Sequence, residues 1–133
     1  TSPVSGRVYA LGMTDGGQML QWEYFTKGDA VEARLVRSVP VGKGAEYCVV
    51  DDASGTLYYG DEALGVMALP ASVETDPART VVDLAAPRGG LAAEVKGVGF
   101  VHGADGRPLV VVTDASAERF AIYGPEGGPI GRF

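Results

Sequence analysis

The chain has 133 residues and a formal net charge of −6. The length suits one domain of ordinary size. The charge argues against nucleic acid as a partner, because duplex binding is dominated by cationic contacts to phosphates; an acidic surface suits cations, and calcium prefers carboxylate oxygens.

No apolar run approaches the roughly 18 residues of a membrane span, so no membrane span is expected; the longest run, 108–112, is one strand's worth. No basic segment followed by an apolar one opens the sequence, so no signal peptide is expected within it. The one cysteine, Cys48, allows no internal disulfide. It lies in an apolar run and reads as a buried structural thiol.

Glycine is common: 20 residues, about 15% of the chain, against an average usage of about 7%. Aliphatic segments separate the glycines. That profile predicts many short strands joined by tight turns, since glycine accepts the positive φ that hairpin turns need.

In chain order, residues 6–13 form an apolar, loosely alternating strand, and 14–17 (Thr-Asp-Gly-Gly) a turn. Residues 18–24 place Leu20, Trp22 and Tyr24 on one face at period two. After a turn at 26–29, residues 31–39 put Val31, Ala33 and Leu35 on one side and Glu32 and Arg34 on the other. Strands follow at 47–50, 56–59, 64–69 and 80–84, with a turn at 51–55 built of residues that bond their own backbone and a linker at 70–77. Strands at 98–102, 109–113 and 120–123 complete the series. Helix formers at 70–74 and 90–96 are too few for a stable helix.

Strands at this spacing point to a sandwich, barrel or propeller. Similar strand-and-turn units recur at about 50 residues, which suits four-stranded blades. The repeats are Arg7-Val8-Tyr9-Ala10, Thr56-Leu57-Tyr58-Tyr59-Gly60 and Pro108-Leu109-Val110-Val111-Val112-Thr113. We therefore expect an all-β propeller with approximate blades 1–45, 46–92 and 93–133.

Several segments, in collinear order, resemble the calcium-dependent β-propeller phytases. They are Gln21-Trp22-Glu23-Tyr24-Phe25, Val36-Arg37-Ser38, Glu46-Tyr47-Cys48-Val49-Val50-Asp51-Asp52 and Gly55-Thr56-Leu57-Tyr58-Tyr59-Gly60-Asp61-Glu62. They continue with Leu91-Ala92-Ala93-Glu94-Val95-Lys96-Gly97-Val98, Phe120-Ala121-Ile122-Tyr123 and Gly131-Arg132-Phe133. The resemblance implies a six-bladed ring of antiparallel blades, of which this chain supplies two to three. The remaining blades would come from the rest of the chain or from another copy.

The resemblance also implies hydrolysis of phytate, a phosphorylated small molecule, by calcium ions held on carboxylates. It implies secretion, to the periplasm or outside the cell. It places Glu46 on a calcium ligand and catalytic position, and Asp61, Glu62 and Glu94 on further metal positions. Lys96 and Arg119 are candidate phosphate ligands.

Departures from the family pattern weaken the metal cluster. Lys96 stands where the family has a ligand glutamate, and a cation there opposes calcium. Thr14 replaces a phosphate-binding lysine, Tyr47 a glycine and Gly124 an acidic residue. A catalytically degenerate propeller that binds an anionic ligand or a protein partner is therefore the rival reading. In that case Lys96 is expected to pair with Glu94 or Glu46. His102, the lone histidine, reads as structural or exposed.

Overall fold

The computed structural model describes residues 1–2 and 5–133. Among the described residues, eleven strands form three antiparallel sheets, each following chain order. The first sheet holds β1 (Val8–Met13), β2 (Gln18–Lys27) and β3 (Ala30–Pro40). The second holds β4 (Ala45–Asp51), β5 (Thr56–Asp61), β6 (Gly65–Pro70) and β7 (Thr80–Leu84). The third holds β8 (Val95–His102), β9 (Pro108–Asp114), β10 (Arg119–Tyr123) and β11 (Pro129–Arg132). A 3₁₀ turn at Ala115–Ala117 is the one helical element among the described residues.

The turns follow their residues. Lys27 pairs with Ala30, so Gly28 and Asp29 alone make the β2–β3 hairpin, with Gly28 at φ +61°. Two segments differ from expectation. β8 begins at Val95, earlier than the glycine-broken 97–99 stretch suggested. β11 has too little alternation to read as a strand and is defined by its pairing to β10. Neither 70–74 nor 90–96 is helical; Leu91 is instead drawn into the core, 1% exposed.

The sheets stack face to face, as propeller blades do. Met19, Val39, Val41, Ala45, Leu57, Tyr59, Met67 and Leu69 fill the first interface. Tyr58, Val66, Ala68, Leu91, Val95, Val110, Val112, Ala121 and Tyr123 fill the second. The middle sheet is covered on both sides, which is why every residue of 57–61 and 65–69 is buried instead of alternating. β9 in the third sheet keeps the alternation of a strand with one covered face. Each large side chain in these interfaces stabilises by about 1.5–3 kcal/mol. Val8, Tyr24, Val31 and Leu35 in the first sheet, and Phe120 and Ile130 in the third, remain exposed.

Cys48 is half-buried against the first interface, and burial raises its thiol pKa, which leaves it unreactive. His102 is structural in part. Its Nε2 lies 3.0 Å from Oδ1 of the buried Asp51, tying the end of β8 to the end of β4. Burial pushes the Asp51 carboxyl up, but bonds from Ser54, His102 and the Ala53 N–H outweigh it and hold the group below its ordinary value. A lowered folded pKa contributes stability that is complete above about pH 4 and is lost as pH falls through the folded value. Asp51→Asn should therefore flatten the acid limb of the stability–pH curve, read by urea unfolding between pH 2 and pH 6.

Gly60 lies against the third sheet. A Cβ there would lie 2.8 Å from Val95 Cγ1. Gly60→Ala should destabilise by about 1–3 kcal/mol. The measurement is the denaturant midpoint, with the slope m unchanged.

Candidate functional site

β4 and β8 begin, and β5 and β9 end, at one rim of the stack. A relay of backbone hydrogen bonds runs along that rim. Glu62 N–H donates to Gly44 O at 3.0 Å, Glu94 N–H to Glu62 O at 3.2 Å, and Ala115 N–H to Glu94 O at 3.3 Å. The relay places Glu62 and Glu94 side by side across the boundary between the second and third sheets.

β4 and β8 open in the same way. Ala45 pairs with Asp61 and Tyr47 with Gly60, leaving Glu46 as the bulge residue between them. Val95 pairs with Asp114 and Gly97 with Thr113, leaving Lys96 as the bulge residue. Bulges recur beside functional sites because they re-aim one side chain. Glu46 and Lys96 thus hold the same position in consecutive sheets, one acidic and one basic.

Lys96 forms an ion pair with Glu62. The bond to Glu62 raises the ammonium pKa above its ordinary value, and the fields of Tyr47 and Glu94 add to this. The rival reading's pairing with Glu94 or Glu46 is thus corrected: the partner is Glu62, because the relay brings the β5–β6 turn to the start of β8. Glu46 is exposed and makes no side-chain hydrogen bond or ion pair among the described residues.

Asp61 and Asp114 also correspond, each ending the second strand of its sheet. Asp61 is 3% exposed, and its Oδ1 accepts from Ala63 N–H at 2.9 Å and Leu64 N–H at 3.0 Å. A Cβ on Gly44 would lie 2.6 Å from that oxygen, so glycine is required there for the carboxylate to fit. Asp61 therefore holds the β5–β6 turn from inside. Asp114, fully buried, accepts from Ala92 N–H and from Arg119 Nε at 2.9 Å. Arg119 also donates to Gly90 O at 2.9 Å. Its guanidinium is held within the fold by Asp114 and Gly90.

Sequence reasoning missed Asp114. Its signal was an aspartate at the close of the strand after an inner strand, the place of Asp61. Tyr123, buried beside it, donates to Asp83 Oδ2 at 2.6 Å, and burial together with that bond raises its pKa far above the usual range.

The protein-family model described as Phytase matches residues 1–130. The chain belongs to the phytase family. Its fold is accordingly an all-β propeller, and the three sheets are its blades. The calcium implied by the phytase resemblance needs six to eight oxygen ligands. Among the described residues no three His, Cys, Asp or Glu side chains converge on one point. Glu62 faces an ammonium, and Asp61 and Asp114 are engaged by backbone amides and Arg119. The carboxylates of these blades do not by themselves make a calcium shell.

Glu94 holds φ +58°, a left-handed conformation that non-glycine residues adopt at a cost of about 1–3 kcal/mol. Glu94→Gly should relieve part of this and raise stability by about 1 kcal/mol, measured by thermal unfolding. The same change should lower the Lys96 pKa, measured by NMR titration, because it removes one of the surrounding carboxylates.

Proposed function

We propose that this segment belongs to a phytase-type phosphomonoester hydrolase that acts on phytate once the ring is complete, with calcium as its cofactor and secretion or the periplasm as its location. The support is the family match together with the gathering of Glu46, Glu62, Glu94 and Lys96 on one rim. In this reading Lys96 meets a substrate phosphate with a charge-assisted bond, and Glu62 and Glu94 hold its ammonium in place. Glu46 is the carboxylate free to serve the reaction or a cation held jointly with the missing blades. Asp61, placed by the resemblance on a metal position, and Arg119, a candidate phosphate ligand by its charge, position the turns around these groups. Calcium, when bound, would supply charge neutralisation of the phosphates and an activated water.

The observation that favours the rival reading is the Lys96–Glu62 pair, which puts the protein's own cation among the rim carboxylates. A propeller built that way holds an anionic ligand without turnover.

Phosphate release from phytate by the intact parent protein, with calcium and with a chelator, separates the two. Calcium-dependent release that falls about 10²-fold or more in Glu46→Gln supports the enzyme. Absence of release from folded protein, with phytate binding lost in Lys96→Glu, supports the binder. Lys96→Glu should also make thermal stability rise with added calcium, because it sets three carboxylates together where an ammonium stood.

A further inference from the structure

We propose that Asp83, Tyr123 and Arg132 are positioning residues for the rim: together with Arg119 they grip the backbone of Gly90, and that grip keeps Glu94 in the left-handed conformation that sets it beside Glu62 and Lys96. The proposal rests on the reading of that rim as the place where a phosphate is met.

The segment 85–94 carries the chain from β7, the last strand of the second sheet, to β8, which opens the third. Gly90 lies within it and is held on both sides. Its N–H donates to Asp83 Oδ1 at 3.0 Å. Its carbonyl accepts from Arg119 Nη2 at 2.9 Å and from Arg132 Nη2 at 3.2 Å. Tyr123 O–H donates to Asp83 Oδ2 at 2.6 Å, so that carboxylate is fixed through both oxygens. A Cβ on Gly90 would collide with Arg132 Nη2 and lie 3.1 Å from Asp83 Oδ2, so the grip closes on bare backbone. Side chains from β7, β10 and β11 thus converge on one glycine. The carboxylates of Asp83 and Asp114 balance the guanidiniums of Arg119 and Arg132, which leaves the cluster no charge to offer a ligand of its own.

The grip is passed along the chain. Leu91 N–H donates to Leu84 O at 3.2 Å, and Leu91 O accepts from Ala86 N–H at 2.8 Å. Ala92 N–H is bound by Asp114. Glu94, at φ +58°, then bonds through both its backbone groups, to Glu62 and to Ala115. A left-handed glutamate persists only where its surroundings over-determine it. The bonds at 90–92 fix the chain entering Glu94, and those at 94 fix its exit. Releasing Gly90 frees the entry. Glu94 can then turn to the ordinary negative φ, which takes its carboxylate off the rim and moves Lys96 with it.

Hydrogen exchange and phytate binding on the intact parent protein test this. Tyr123→Phe keeps the buried ring and removes only the hydroxyl. Arg132→Gln, at an exposed position, is the second variant and puts folding least at stake. In either, the amides of Glu94 and Ala115 should exchange about 10-fold faster while those of Val110 and Val112 hold, and phytate affinity should fall about 10-fold. Glu94→Gly is the control, because glycine takes the left-handed conformation without strain. In that background Tyr123→Phe should cost no further affinity. Unchanged exchange at Glu94 and Ala115 overturns the proposal, and so does faster exchange with unchanged affinity. An affinity loss of the same size with and without Glu94→Gly also overturns it and makes Tyr123 a general stabiliser of the fold. A parent protein that binds no phytate sinks the reading of the rim instead; exchange at Glu94 and Ala115 then decides the positioning role by itself.

Discussion

The middle blade is apolar on both faces, and the rest of the arrangement depends on that. β5 sends Leu57 and Tyr59 into one interface and Tyr58 into the other, with Gly60 left bare so that Val95 can approach. A sheet of this kind cannot stand alone in water, since either exposed face would forfeit the burial that offsets chain entropy. It forces neighbours onto both sides, and sheets stacked by their faces, each joined to the next by a short connection, fan out into a propeller. Close contact of the backbones follows, and with it the rim relay through Gly44, Glu62, Glu94 and Ala115.

That relay decides what the rim can do. It holds two glutamates next to each other across a blade boundary and delivers Lys96 to them. The equivalent bulge in the preceding blade presents Glu46, where no cation of the described chain answers it. One position of the repeat therefore carries opposite charges in consecutive blades. The buried aspartates below, Asp61 and Asp114, act on this surface from inside: each ties down the turn or loop that shapes it through backbone amides. Charges buried this deeply persist because their oxygens are hydrogen-bonded.

The internal correspondence between blades extends to the first sheet. Its connection to β4 and its positive-φ Gly6 repeat features of the four-stranded blades, while β1 is an edge strand among the described residues. An unpaired edge exposes backbone donors and acceptors that native sheets cover or blunt.

The sequence by itself determined the all-β class, the positions of most strands and the family. Turn chemistry and hydrophobic runs act over a few residues, and the family motifs are strings of letters in order. The family motifs also singled out Glu46, Glu62, Glu94 and Lys96, which the structure gathers on one rim. The sequence could not separate a carboxylate that faces solvent from one that holds a turn. Asp61 and Glu62 are adjacent, yet one is buried under Gly44 and the other meets Lys96. Nor could it choose Glu62 over Glu94 or Glu46 as the partner of Lys96, find Asp114 and its tie to Arg119, or recognise β11. Those outcomes depend on register and on the stacking of one blade against the next. The Lys96–Glu62 pair and the Ala92–Asp114 bond join residues tens of positions apart, and the nearer Asp114–Arg119 tie and the β10–β11 pairing still depend on register, which no local pattern records.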